Sequence, residues 1–339
     1  ECKKIIFRES ANKKLSSILI VAIFLLITGI ANFFIPRNWI KNANLGGSEA
    51  IPVVIPMFFE NSGELNKLNL SKASESKKIE RLFELTLQKY PDPKNRQNTL
   101  APIFLWRLPN DLSKIDDLNN RKKIFIQIMT PLILEQNFTI LKDRARLELL
   151  EKKLTSDLSN TEKNWLIGIA KYYKIVDNKK INPAVTTLLI RELRTKLDVI
   201  PVALAIAQSA LETGWGTSRF AIFGNALFGQ RTWDSKQGMR PLRRDPDKQH
   251  SVRTFGKLSE SVADYSHNLN SSPYYKDFRS ERAKLRTNNA PNTSWGFLLT
   301  QHLAHYSEDE GHYIKTIQDI MLDNQLSHLE NLTLSSNLE

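Results

Sequence analysis

Cysteine is almost absent. Cys2 is the one thiol in 339 residues, so neither an intramolecular disulfide framework nor a cysteine-based zinc site can form, and the redox compartment is not readable from thiols. A zinc-finger spacing and an RNA-recognition signature are also missing, and no dense Lys/Arg tract is interleaved with aromatics; together these argue against nucleic acid as a partner. No Gly-x-Ser-x-Gly elbow supports a serine triad. No Gly-rich loop is placed to cradle a phosphate, and the zincin spacing does not occur. His302, His305 and His312 lie near Asp309 and Glu310, residue types that bind metals, but without that spacing they read as solvated side chains. No metal and no cofactor is expected. There is no internal repeat.

What is present is an ordinary globular balance, with 41% hydrophobic and 25% charged residues, enough for one or two domains with their own cores. The net charge of +12 favours contact with something anionic, for which anionic lipid and a carboxylate-rich bacterial wall both qualify. Most of this charge reads as solvated surface. The first residue is Glu1 rather than Met, as in a processed or partial chain.

From Leu15 to Ile35 no residue is charged, and the run is close to the ~20 residues that span a hydrocarbon core. Lys3, Lys4, Arg8, Lys13 and Lys14 precede it, which keeps that flank cytoplasmic and sends the rest of the chain outward. A cleaved signal peptide starts in the same way, but its apolar core is only ~7 to 15 residues and ends in small residues; here the end, Asn32 to Pro36, is bulky. An uncleaved anchor is the reading adopted, a buried core helix being disfavoured by the lack of a polar stripe.

Residues 37–76 carry Gly46, Gly47, Pro52, Pro56, Gly63 and a polar run, which reads as a spacer. Helical periodicity follows at Lys78 to Tyr90 and, strongly, at Asn119 to Leu154, where Pro131 is expected to kink or split the helix. Further helices are expected over 161–173, 183–197, 201–211, 258–269, 294–306 and 313–322. Gly238, Pro241, Pro246 and Gly256 punctuate 230–256, and the alternation at Ser251 to Phe255 suggests hairpin strands. The tail from Ser327 has little apolar periodicity.

The segment Pro201 to Gly216 is the most informative. Its helix has almost no charge until Glu212, and its alanines permit close approach of neighbouring helices, so it is expected to be central. Desolvation and the partial negative charge at a helix C-terminus both raise the pKa of a carboxylate ending such a helix, as a general acid working near neutral pH requires. Gly214 and Gly216 end the helix in a tight turn. Trp215 beside Glu212 suits stacking on a sugar face and equally suits a core anchor.

The run Ala207 to Phe220, Ala-Gln-Ser-Ala-Leu-Glu-Thr-Gly-Trp-Gly-Thr-Ser-Arg-Phe, followed by Gly224 to Gln230, Gly-Asn-Ala-Leu-Phe-Gly-Gln, resembles the signature of the bacterial glucosaminidase family, in particular its Bax-type members. Phe255, Ser261 to Tyr265, Leu269, Pro273 to Tyr275, Leu303, Tyr306, Ser307, Tyr313 and Ile317 follow the same pattern, and Ile115 to Arg144 resembles the helical region before the hydrolase domain. The resemblance spans roughly residues 100–323. It implies a mainly α, lysozyme-like helical domain with a small β-hairpin lobe that cuts the N-acetylglucosaminyl bond of peptidoglycan. It also implies Glu212 as catalytic acid, Tyr306 and Tyr313 as tyrosines near it, and Asn225, Leu227 and Phe228 as a cleft-lining segment. Trp215, Asn225, Phe228, Gln230 and Tyr306 are the candidate substrate contacts, and Glu212 with Tyr313 the candidate catalytic pair. Leu227 and Phe228 also read as plain core packing, the reading favoured for Leu227, and Tyr313 as a helix-packing residue.

Under that resemblance Glu212 protonates the leaving oxygen, and the second group is open: Asp234, Asp245 or Asp247, or the sugar's own acetamido group. Asp245 also reads as a surface ion pair with Arg243 or Arg244. The expected organisation is a cytoplasmic flank and one N-terminal transmembrane helix over 1–36, a spacer with a short helix over 37–99, a helical subdomain over 100–180, a catalytic domain over 181–325 and a tail over 326–339. The expected setting is the bacterial inner membrane, single-pass, with the catalytic domain in the periplasm or cell exterior and peptidoglycan glycan strands as partner. A lytic transglycosylase, an amidase-type wall enzyme and an inactive wall-binding protein are the alternatives.

Overall fold

The computed structural model describes residues 53–54, 74–89, 99–100, 102–153, 157–180, 183–241, 251–306 and 309–334. The apolar run 15–35, most of the expected spacer, and Asp245 and Asp247 lie outside them. All the described residues belong to one compact unit, 50–339, and they are mainly helical, with ten α-helices and seven short strands.

The long helix α2 (Leu118–Glu151) starts where the Asp117 side chain accepts the Asn119 N–H at 2.9 Å. Of the kink or split expected at Pro131, the split does not occur: the helix continues through the proline. Proline inside a helix costs roughly 3 kcal/mol, and here Ile128, Met129, Leu132 and Ile133 on either side are all buried, a gain of about 1.5–3 kcal/mol for each large apolar side chain. Among the described residues α2 is the one helix long and apolar enough to cross a membrane, but 61% of its apolar window is buried inside the protein, as befits a core helix.

The first half of α2 lies against α5 (Val202–Thr213), on which α9 (Asn292–Leu299), α10 (Glu310–Asp323) and a 3-10 turn at Leu326–Asn331 also pack. Every residue of α5 from Val202 to Ala210 is buried. Small side chains make this crowding possible: at Gly296 of α9 an added Cβ would already lie 3.6 Å from Ala203 Cβ. The second half of α2, with α3 (Asn160–Tyr172) and α4 (Thr187–Lys196), forms a separate apolar cluster around Leu147, Leu166 and Leu193. Capping sets these starts. Ser159 and Glu162 form a reciprocal capping box on α3, and Thr186 caps α4, so that helix begins at 187 and not at 183.

Two helices were not expected. One is the short α6 (Arg219–Gly224), and the other is α8 (Lys276–Thr287), which follows α7 (Leu258–Ser271). The buried face of α8 is Phe278, Arg279, Arg282 and Leu285, so half of its apolar stripe is written in arginine. Arg282 is fully buried and donates to the carbonyls of Asp198 (3.1 Å), Val199 (2.8 Å) and Thr195 (3.2 Å). The expected helix 294–306 is instead α9 followed by 3-10 turns at 300–302 and 304–306.

Beside α6 a three-stranded antiparallel sheet has β6 (Ser251–Arg253) at its centre, paired with β4 (Arg231–Thr232) and β5 (Gly238–Met239). Two parallel pairs, β1 (Val53–Val54) with β3 (Ile103–Phe104) and β2 (Thr99–Leu100) with β7 (Thr333–Leu334), tie early segments of the unit to later ones.

Candidate functional site

The site is built on the end of α5. Gly214 caps the helix in the left-handed region at φ 58°, and Trp215 (φ 60°) and Gly216 (φ 79°) continue in it. Such backbone is cheap only for glycine. The turn is held by Trp215 N–H donating to the Ala210 carbonyl at 2.9 Å and by Gly216 N–H donating to Thr213 Oγ1 at 2.8 Å. A Cβ on Gly216 would come within 2.8 Å of both Leu112 and Phe125. The chain therefore turns hard against α2 just after Glu212.

Glu212 is solvent-accessible, yet its carboxyl is surrounded by protein. A Cβ on Gly229 (φ 64°) would meet Glu212 Oε2 at 2.8 Å, so the loop before β4 covers one side. Burial pushes the Glu212 pKa up to about 7, against the opposing effects of a hydrogen bond from Tyr313 and the charge of Arg231. The residue as a whole is accessible while its carboxyl is partly desolvated by the protein around it, and that desolvation disfavours the charged form. At neutral pH a large share of the population carries the proton that an acid catalyst needs.

Tyr313, on α10, is 6% exposed and links Glu212 to a buried polar line. Gln208 Nε2 donates to Tyr313 Oη at 2.8 Å, and Tyr265 Oη donates to Gln208 Oε1 at 2.6 Å. The Tyr265 ring is stacked on Phe228, with centroids 3.8 Å apart. Tyr306 stacks on Tyr313 at 5.6 Å and donates its hydroxyl to the Phe228 carbonyl at 2.9 Å. Burial and the Glu212 charge raise the Tyr313 pKa, so this hydroxyl stays protonated and can act only as a neutral donor.

Residues 188–326 match the family model of mannosyl-glycoprotein endo-beta-N-acetylglucosaminidase. The chain carries a glucosaminidase-family domain. It is also 34% identical over 178 residues to Protein bax of Escherichia coli (strain K12), a match covering 52% of this chain and 60% of that relative. No solved structure matches. The domain makes hydrolysis of a glycan the kind of function at issue.

Within the glucosaminidase domain the expected site residues separate into two groups. Glu212, Tyr313 and Tyr306 come together. Phe228 is 1% exposed, so the expectation that its ring lines the cleft is corrected: the ring is core, and only its carbonyl serves the site, through Tyr306. Leu227 is fully buried. Asn225 caps α6 at φ 51° and donates from Nδ2 to the Phe255 carbonyl at 3.0 Å, while Gln230 donates to the Ser261 carbonyl at 3.1 Å; both hold the loop that carries Gly229. The Trp215 ring packs edge-on against Phe125 at 6.0 Å and under Lys122 Nζ at 5.0 Å, the core-anchor arrangement.

Asp234 is exposed and its carboxylate accepts the Lys236 N–H at 2.9 Å; it does not figure among the groups that perturb Glu212. Gln208, Gly229 and Arg231 carry parts of the site that had not been singled out. A signal for Gln208 was available, since it stands four residues before Glu212, one helical turn away, as a long polar side chain in an apolar helix.

A cavity of about 420 Å³ lies elsewhere, along α2 between Lys122, Ile126, Pro131 and the turn bearing Leu329. Its lining is mostly apolar and holds no carboxylate, so it has no group suited to glycosidic acid catalysis. The surroundings of Glu212 are the candidate active site.

Proposed function

We propose that the protein is a peptidoglycan hydrolase that cleaves the N-acetylglucosaminyl bond of wall glycan strands, with Glu212 as general acid. The observation that carries this reading is the Glu212 carboxyl, accessible at the end of a buried helix and held near pKa 7 beside Tyr313. Glu212 gives its proton to the leaving glycosidic oxygen as positive charge develops at the anomeric carbon. The Tyr313 hydroxyl then stabilises the carboxylate left behind, and Arg231 contributes a second favourable charge.

Asp234 is turned to the Lys236 N–H, and Asp245 and Asp247 lie outside the described residues; the second group is one of these carboxylates or the sugar's own acetamido group. The second reading is a lytic transglycosylase, in which a muramyl hydroxyl of the substrate replaces water. The helical domain with its small sheet beside Glu212 supports a lysozyme-like arrangement. The charge-free run 15–35 with basic residues before it supports a single-pass inner-membrane tether and a periplasmic or external catalytic domain.

Digestion of purified peptidoglycan by the full chain, followed by mass spectrometry of the new chain ends, tests the proposal. Reducing-end N-acetylglucosamine is expected from wild type and none from Glu212→Gln. Anhydro-muramyl ends would replace the first reading by the second, and released peptides without glycan cleavage would overturn both.

A further inference from the structure

Tyr313 has one hydroxyl hydrogen and two neighbours able to take it, Glu212 and the side-chain amide of Gln208. Which of them receives it decides whether Tyr313 helps Glu212 at all. The buried polar line settles the matter by donor counting. Tyr265, 1% exposed and stacked on Phe228, spends its hydrogen on Gln208 Oε1 at 2.6 Å. With Oε1 occupied, Gln208 turns Nε2 to Tyr313 Oη at 2.8 Å, filling an acceptor site on that oxygen. The Tyr313 hydrogen is then left for the Glu212 carboxylate, to which Tyr313 is hydrogen-bonded. If the amide were reversed, Oε1 would compete for the Tyr313 hydrogen and Nε2 would face Tyr265, stranding the Tyr265 hydrogen inside a fully buried site, a costly arrangement.

We infer that Gln208 is a positioning residue for the glycosidic reaction, its amide held one way round by Tyr265 so that Tyr313 donates to Glu212. The inference rests on the proposed role of Glu212 as general acid. Gln208 never meets the sugar: it is fully buried and acts one helical turn behind the acid. Its effect falls on the step after proton delivery, when Glu212 becomes anionic and the Tyr313 hydrogen bond strengthens. The other group whose charge reaches Glu212 is Arg231 from β4; the Glu212 charge in turn reaches the hydroxyls of Tyr275 and Tyr306, whose pKa values burial chiefly raises. None of these hydroxyls is the bonded donor to Glu212, so the orientation of Tyr313 is the adjustable element.

The test compares wild type, Tyr265→Phe, Tyr313→Phe and the double variant by two readouts. Carbon-13 NMR titration of the Glu212 carboxyl reports its ionisation without any turnover. Tyr265→Phe frees the Gln208 amide to reverse, so that Oε1 takes the Tyr313 hydrogen, and is expected to move that titration to higher pH. Adding it to Tyr313→Phe should move it no further, because the two act through one hydrogen bond. In the reaction, kcat is expected to fall about tenfold, the scale of one hydrogen bond to a charged group. KM should stay unchanged, and the alkaline limb of the kcat profile should shift upward with the titration.

A folded Tyr265→Phe protein whose Glu212 titrates as in wild type overturns the inference, as does full additivity with Tyr313→Phe. Gln208→Leu is the second arm: it removes the rival acceptor altogether, so the Tyr313 hydrogen stays with Glu212 and the titration is expected to keep close to wild type; a shift as large as that of Tyr313→Phe is equally fatal. Failure of the proposed function looks different: wild type then leaves peptidoglycan uncut, while the titrations still decide the role of Gln208.

Discussion

Glu330 and Glu212 stand at opposite ends of one helix. Glu330, in the turn at Leu326–Asn331, accepts the N–H groups of Ala203 (2.8 Å) and Val202 (3.0 Å) at the start of α5, and Glu212 lies in the last turn of the same helix, beyond the buried stretch Val202 to Ala210. Pro201 supplies no side-chain cap, so a residue more than a hundred positions away takes over that task. Burial pushes both carboxyls up to about 7.

A pKa raised on folding gives a definite sign. Below the unfolded value of 4.5 Glu330 is neutral in both states and costs nothing. As pH rises from there through 7 the unfolded chain ionises more readily, and stability is lost. Chemical denaturation of wild type is therefore expected to show a falling midpoint between pH 5 and 8, and Glu330→Gln, which keeps one acceptor for the helix, should flatten part of that fall. The Glu330 share is at most on the order of 3 kcal/mol. A variant with an unchanged slope would contradict the assignment.

Glu212→Gln should separate activity from stability. Loss of glycan cleavage is expected together with a higher melting temperature at pH 8 and no gain at pH 5, since only the ionised carboxylate is penalised. Glu212 is accessible, so screening reduces the gain to roughly 1 kcal/mol. Calorimetry at the two pH values checks it.

Gly216→Ala and Gly229→Ala should fail in different ways. At Gly216 the new methyl meets Leu112 and Phe125 within the core, and overpacking plus left-handed strain should cost about 2–4 kcal/mol. At Gly229 it meets the movable end of Glu212. There the stability loss should stay near 1 kcal/mol, while displacement of the acid lowers kcat about 100-fold. Melting curves beside initial rates distinguish the two.

Asp198→Asn should be among the most damaging substitutions. Asp198 is 2% exposed and pairs with Arg286 at 2.7 Å and Arg144 at 3.4 Å. Burial opposes its ionisation, but Arg282, Arg286 and Arg144 outweigh that and hold its pKa below the usual carboxylate range. Removing the charge leaves buried cations without their anion, a loss of roughly 3–5 kcal/mol. Because the pKa is depressed, wild type keeps this stabilisation above about pH 4 and loses it only in stronger acid.

The central helix, its terminal acid and the glycine turn were legible because their cause is local: an apolar stretch, a charge at its end and residues free to turn left-handed. The helix at 276–287 was not, since Arg279 and Arg282 occupy its buried face and erase the apolar period. Arg282 is satisfied by the carbonyls that end α4 and precede α5 and Arg279 by those of Leu269 and Ser272 at the end of α7, partners that the residue pattern of α8 itself does not contain. Phe228 was misplaced for a related reason. Gly229 beside it meets Glu212, but the Phe228 ring stacks on Tyr265, and only the packing of α7 against that loop decides this. Gln208 was missed because a buried amide acquires meaning from two tyrosines more than fifty residues away.

The remote cap on α5 bears on where this chain can be cut. The segment recognised as glucosaminidase ends at residue 326, short of Glu330, and begins at 188, after Phe125 and Leu112, which wall in Gly216. An excised fragment with those limits would keep Glu212 and Tyr313 yet lose both the side chains packed over the Gly216 turn and the carboxylate that starts its helix. Soluble expression should therefore demand borders set outside the recognisable homology, reaching back past α2 and forward through β7.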